Sequence, residues 1–145
     1  MGLDQSFIEL NRTSTNRIRA LAERLTDEEL QQPVGEHWTV AITLVHIAFW
    51  ERRVLDILTQ SEREGKVIIP KINIVVNDLS LPIWAAIPPR EAAQIAIEAA
   101  EAVDKRLEVY PPALIEELNA INERFVIRAI HRNEHLDEVE SALMG

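Results

Sequence analysis

Apolar residues recur at steps of three and four along nearly the whole chain, and only an α-helix turns that spacing into a continuous face. In the first segment Phe7, Asn11, Ser14, Ile18, Leu21 and Leu25 share one stripe, interrupted by the polar pair Asn11 and Ser14. Thr26-Asp27-Glu28-Glu29 reads as a capping box opening a short turn, which Pro33 and Gly35 close. A second helix is expected from Thr39, a good N-cap, to about Glu64, where Gly65 stops it. Ile42, His46, Trp50, Val54 and Ile57 line one of its faces. A third helix opens at Pro88-Pro89 and ends by Tyr110, because Pro111-Pro112 cannot continue it. The fourth is expected to carry Leu118, Ile121, Phe125, Leu136, Val139 and Leu143 on one stripe, with a short helical piece at Ala113–Leu118 ahead of it.

Between the second and third helices lies Lys66–Ile87. Val67-Ile68-Ile69 and Ile72-Asn73-Ile74-Val75-Val76 resemble strand sequence, but Pro70 breaks the run and no second strand is available to pair with it. The expectation is an extended crossover with a little β character. So long a connection either serves the function or spans the length of a bundle. The fold expected from these elements is all-α: an up-down-type four-helix bundle with a long connection between helices two and three, one domain over residues 1–145.

Composition narrows the chemistry. The chain has no cysteine, which removes disulfides, thiolate zinc sites, iron–sulfur clusters and a cysteine nucleophile. Its four glycines, at 2, 35, 65 and 145, build neither a P-loop nor a dinucleotide fingerprint. A net charge of −9 argues against nucleic acid as a partner. No apolar run reaches membrane-spanning length, so no membrane association is expected. Met1-Gly2-Leu3-Asp4 does not open like a signal peptide, and a cytoplasmic location is expected.

The histidines are His37, His46, His131 and His135. On a helix the last two lie about 40° apart in arc and about 6 Å apart in rise, so both imidazoles leave one face and two nitrogens can reach one ion. Such a pair also occurs on solvated helix faces. His46 sits mid-stripe between Ile42 and Trp50, where an unpartnered imidazole is costly. It is either a core histidine bonded to a neighbour or a third ligand meeting His131 and His135 across the bundle. Three protein ligands leave an open position, the arrangement of a catalytic zinc. Imidazoles suit zinc, nickel, copper or iron, and the sequence does not choose among them. Glu138, projecting about 20° from His131, is the best carboxylate to receive a ligand's other N–H, with Glu134 behind it. Arg124 and Arg128 flank the same face and either hold an anionic substrate or pair with acids. His37 reads as a surface loop residue. Trp38 and Trp50 read as core or pocket wall, Trp84 as a lid over the bundle end, and Asn77-Asp78 as a turn or as polar groups offered to a site.

Gly35-Glu36-His37-Trp38-Thr39, then Val45-His46-Ile47-Ala48-Phe49-Trp50-Glu51, and far downstream His131-x-x-x-His135, resemble the DinB-like superfamily over most of the chain. The shared pattern is a tryptophan and Ser/Thr at the mouth of helix two, a histidine seven residues after that Ser/Thr, and a His-x-x-x-His pair in the last helix. The resemblance implies a four-helix bundle of the DinB/YfiT kind, often dimeric, with a divalent metal on His46, His131 and His135. It also implies that some relatives are metal-dependent thiol transferases or isomerases using bacillithiol, mycothiol or glutathione. The mycothiol-dependent maleylpyruvate isomerases are among them. No thiol-recognition motif is matched here.

The leading expectation is therefore a thiol-dependent S-transferase or isomerase acting on a small electrophile. Its divalent metal, zinc or nickel before others, is held by His46, His131 and His135, and a low-molecular-weight thiol serves as cosubstrate. Trp50, Asn77, Trp84 and Arg128 are expected around the substrate, and a homodimer is expected through Val67–Val76. The alternatives are a non-catalytic, metal-stabilised bundle with a stress-related role, and a hydrolase using metal-bound hydroxide with Glu138 or Glu134 as base.

Overall fold

The computed structural model describes residues 4–145; the sequence reading of Met1–Leu3 lies outside the described residues. The chain opens with α1 (Ser6–Arg24) and a single turn, α2 (Asp27–Leu30). The capping box at α2 is complete: Glu29 N donates to Thr26 Oγ1 at 3.1 Å, and Thr26 N donates to Glu29 Oε1 at 2.9 Å. A two-residue hairpin follows, β1 (Pro33–Val34) antiparallel to β2 (Trp38–Thr39), with Val34 opposite Trp38. This small ribbon was not foreseen. Gly35, at φ +70°, makes its turn with the left-handed backbone that glycine tolerates.

Helix α3 (Val40–Glu64) starts where the sequence places it, with Thr39 Oγ1 accepting from Ile42 N, and stops at Gly65 with φ +71°. The crossover contains no strand. Its alternating stretch is irregular, and its second half forms two short helices, α4 (Val76–Leu79) and α5 (Leu81–Ala85). With no partner strand in reach, an isolated alternating run gains no ladder bonds, and local turns win. Helix α6 (Pro89–Glu108) matches the proline-bounded expectation.

The last helix is not continuous. α7 (Pro112–Ile121), a 3₁₀ turn at Glu123–Phe125 and α8 (Ala129–Met144) replace it. Asn122 takes an extended conformation, and its side chain accepts from Arg124 N at 3.0 Å. Asparagine offers the backbone this local bond in place of a helical one, which divides the stripe. Ile121 is accordingly exposed, while Leu118, Phe125, Leu136 and Val139 are buried as expected.

The long helices α1, α3, α6 and α8 touch in ring order, α3 to α6 to α1 to α8 and back to α3. They enclose two apolar clusters. One gathers Ile18, Leu21, Leu44, Ile47, Ala96, Ala100, Leu136 and Val139; the other gathers Phe7, Val54, Ile57, Leu58, Val103, Leu107 and Leu118. α1 and α8 run from the second cluster to the first, whereas α3 and α6 run from the first to the second. Strict alternation thus fails at α3 and α6, which share a direction, and the crossover is long because it must return the chain along the molecule. Between the clusters each long helix contributes buried polar groups: Asn11, Ser14 and Thr15 from α1, Glu51 from α3, Asp104 from α6, Arg132 from α8.

Candidate metal centre

Three imidazoles converge where α3 faces α8. His46 is 4% exposed on α3; His131 and His135, one turn apart on α8, are partly exposed. One ring nitrogen from each lies within 4.8 Å of the others, and Nε2 of His46 stands 3.1 Å from Nε2 of His135. The ring centroids are 4.5 Å (His46–His135), 4.7 Å (His131–His135) and 5.3 Å (His46–His131) apart. The fold thus brings together the three histidines that the sequence singled out.

Tryptophans surround His46. The hairpin sets Trp38 with its ring centroid 4.7 Å from His46, Trp84 lies at 5.8 Å, and Trp50, one turn along α3, at 6.4 Å. Trp84 is not the lid expected of it. It is buried with Ala41, Ile42, Val45 and Ala92, against the His46 ring rather than in the cavity wall. Trp50 and Asn77 are joined: Trp50 Nε1 donates to Asn77 Oδ1 at 3.0 Å, which ties α4 over α3. His37 is exposed, near Glu36.

Burial governs the charge of the rings. It lowers the pKa of His46 to about 3, with His135 adding to the effect and Asn77 opposing it. Burial likewise brings His131 to about 3, helped by Arg128, His135 and His46 and opposed by Glu51. Both rings are therefore neutral at physiological pH, the form that ligates metal. Nδ1 of His46 is buried without a hydrogen-bond partner among the described residues. Glu138, placed near His131 by helical arithmetic, instead stands by His135, with Oε1 2.7 Å from Nδ1 but outside hydrogen-bonding angles. Glu134 is taken by Arg124.

Below the histidines lies the buried charged layer, which sequence reading reached only in part. Glu51, fully buried, accepts from Arg128 through Nε (3.1 Å) and Nη2 (2.8 Å), and from Arg132 Nη2 (2.7 Å). Burial alone would raise its pKa, but Arg128 and Arg132 outweigh that and hold it at about 2. Arg132 also donates to Asn11 O, Ser14 Oγ and Thr15 Oγ1, and lies 2.9 Å from Asp104. The polar interruption at Asn11 and Ser14 was the visible half of this network. The missed half had a signal: Leu44, Ile47, Glu51, Val54 and Leu58 are spaced as one stripe, as are Ala129, Arg132, Leu136 and Val139. A charge on such a stripe needs a buried partner. Arg128 resolves to pairing rather than to a free anion contact, and its Nη2 also reaches Nδ1 of His131 at 3.3 Å.

A cavity of about 400 Å³ opens onto the histidines, walled by Trp38, Trp50, Ile74, Asn77, Phe125 and Arg128 among others. The arrangement defines a class: an α-helical protein in which imidazoles from two helices meet at a cavity of small-molecule size and could hold one metal ion. The family model of the DinB superfamily matches residues 10–138, and the chain belongs to that superfamily. Searches of curated proteins and of solved structures return no match.

Proposed function

We propose that the four long helices form a DinB-type bundle and that the protein is a divalent-metal enzyme joining a small thiol to, or isomerising with its aid, a small electrophile. The observation that carries the reading is the convergence of three imidazoles, two of them held neutral, at the head of a cavity of substrate size. The donor set is all imidazole, which suits zinc or nickel. Bound there, a divalent cation lowers the pKa of a thiol or water in its open position.

The chain's own residues would do the rest. The carboxylate of Glu138, 2.7 Å from Nδ1 of His135, adds negative charge beside that ring and so favours a cation at its Nε2. Glu51 neutralises Arg128, so the guanidinium beside His131 does not repel a cation. Trp38 and Trp50 shield the rings from water, and Asn77 fixes Trp50. We further propose that the protein acts in the cytoplasm and dimerises through the apolar crossover, where Ile74 and Leu79 are exposed. No helix among the described residues is long and apolar enough to cross a membrane.

The test combines elemental analysis of purified protein with a thiol-conjugation assay, with and without chelator. About one zinc or nickel per chain is expected, with turnover lost on chelation. Activity that survives replacement of all three histidines by alanine removes the proposal. Metal binding without turnover reduces the site to a stabilising one.

A further inference from the structure

The cavity inverts the charge of the protein around it. The chain carries 24 Asp and Glu against 15 Lys and Arg, yet the cavity wall contains Arg53, Arg124 and Arg128 and no carboxylate. Two of these cations are neutralised within the fold, Arg128 by Glu51 and Arg124 by Glu134. Arg53 is not. Its Nη2 donates to the Pro70 carbonyl at 3.1 Å, and among the described residues neither its Nε nor its Nη1 has a partner and no carboxylate pairs with it. Its guanidinium carbon lies 5.7 Å from the ring centroids of both Trp50 and Phe125, so two aromatic side chains of the cavity wall hold it in place. Burial and the nearby Arg128 both act against its charge, as befits a cation to which the protein supplies no anion.

We propose that Arg53 binds the carboxylate of a monoanionic substrate, which then lies along Trp50 and Phe125 with its other end towards the histidines. The assignment of that molecule as a reactant rests on the proposed function; the binding itself does not. A single unneutralised positive charge matches a monoanion better than a phosphate dianion. A planar carboxylate also fits the fork of a guanidinium, of which a lysine reproduces only the charge. The carboxylate belongs either to the electrophile or to the thiol.

All three tryptophans of the chain lie around this site, so their emission reports on it. Two probe pairs differ in little but the carboxylate: benzoate against benzamide for an electrophile, and N-acetylcysteine against N-acetylcysteamine for a thiol. Each is titrated into chelator-treated and zinc-loaded full-length protein. At least one acid is expected to bind tenfold or more tightly than its neutral partner, with or without zinc, and the pair that discriminates names the source. Arg53→Gln is expected to bring the ratio below about twofold. Arg53→Lys, which keeps the charge and loses the fork, is expected to weaken the acid at least threefold and leave the neutral probe unchanged. Equal binding of acid and neutral probe in both pairs, or a preference that survives Arg53→Gln, overturns the proposal. So does an acid preference present only with zinc and indifferent to both variants, since the carboxylate would then be on the metal. A protein that binds no zinc but shows the Arg53-dependent ratio leaves this inference standing and removes the metal reading instead.

Discussion

The histidine cluster and the charged layer occupy neighbouring turns of the same two helices, α3 and α8, yet they are finished differently. In the layer Arg132 has backbone, hydroxyl and carboxylate acceptors on α1, α3 and α6, and Glu51 receives two guanidiniums. In the cluster two Nε2 atoms face one another at 3.1 Å, and Nδ1 of His46 has no partner. Among the described residues each region leaves a buried nitrogen over, Nε of Arg132 in the layer and Nδ1 of His46 in the cluster, but the layer sets opposite charges against one another whereas the cluster sets imidazole nitrogens against one another, an arrangement that a cation could complete. The layer specifies how four helices fit together; the cluster spends part of that stability on being ready.

The largest effect should come from the layer. Glu51→Ala strands two buried guanidiniums and is expected to cost about 3–5 kcal/mol of unfolding free energy, read by urea denaturation. His46→Ala strands no charge and should cost clearly less in metal-free protein. If the two costs are equal, the contrast between the regions is wrong.

Ligand should act in the opposite sense. Zinc at a hundredfold excess over its dissociation constant is expected to add about 2.7 kcal/mol to the wild type and nothing at that site to His46→Ala, with the thermal midpoint falling back on chelation. Acid separates the regions further. In metal-free protein the histidine pKa values fall from 6.5 to about 3 on folding, so the unfolded chain takes up protons first and stability declines as pH drops from 6.5 towards 3. Glu51 moves from 4.5 to about 2, so its share is intact above 4.5 and declines below that. The loss of stability between pH 7 and 5 should therefore be shallower in His46→Ala than in the wild type, keeping its sign because His131 still titrates.

The smaller effects calibrate the larger ones. Asn77→Ala removes the acceptor for Trp50 and is expected to cost about 1 kcal/mol, with a change in tryptophan emission. Arg124→Ala breaks an ion pair with Glu134 that is exposed on both sides and should cost no more than about 1 kcal/mol. A larger loss there would mean that surface and buried pairs in this protein do not differ in kind.

Much of this was legible in the residues. Helix starts at Thr39 and Pro89, and the stop at Gly65, follow from local chemistry that no tertiary contact overrides. The histidine triad was legible because helical spacing fixes His131 against His135 and burial singles out His46. What escaped depended on partners distant in sequence. Arg132 draws its acceptors from α1, α3 and α6 together; its place on the stripe signals a buried charge, but no local pattern names those partners. Trp84 could not be placed without knowing that α5 folds inward, and the break at Asn122 turned on one side-chain bond competing with helical continuity. Arg53 looked like any polar residue of α3 until Trp50 and Phe125 were seen on either side of it.

The crossover contributes Ile74 and Asn77 to the cavity wall, while Ile72, Val75, Leu79 and Ile83 around them remain exposed. The segment that lines the cavity is thus less buried than the helices it crosses, and joins α3 through the Asn77 side chain and the Pro70 carbonyl. Substitutions at those exposed positions can reshape the cavity mouth while the helices beneath keep their register, so the wall and the scaffold are separable parts of one chain.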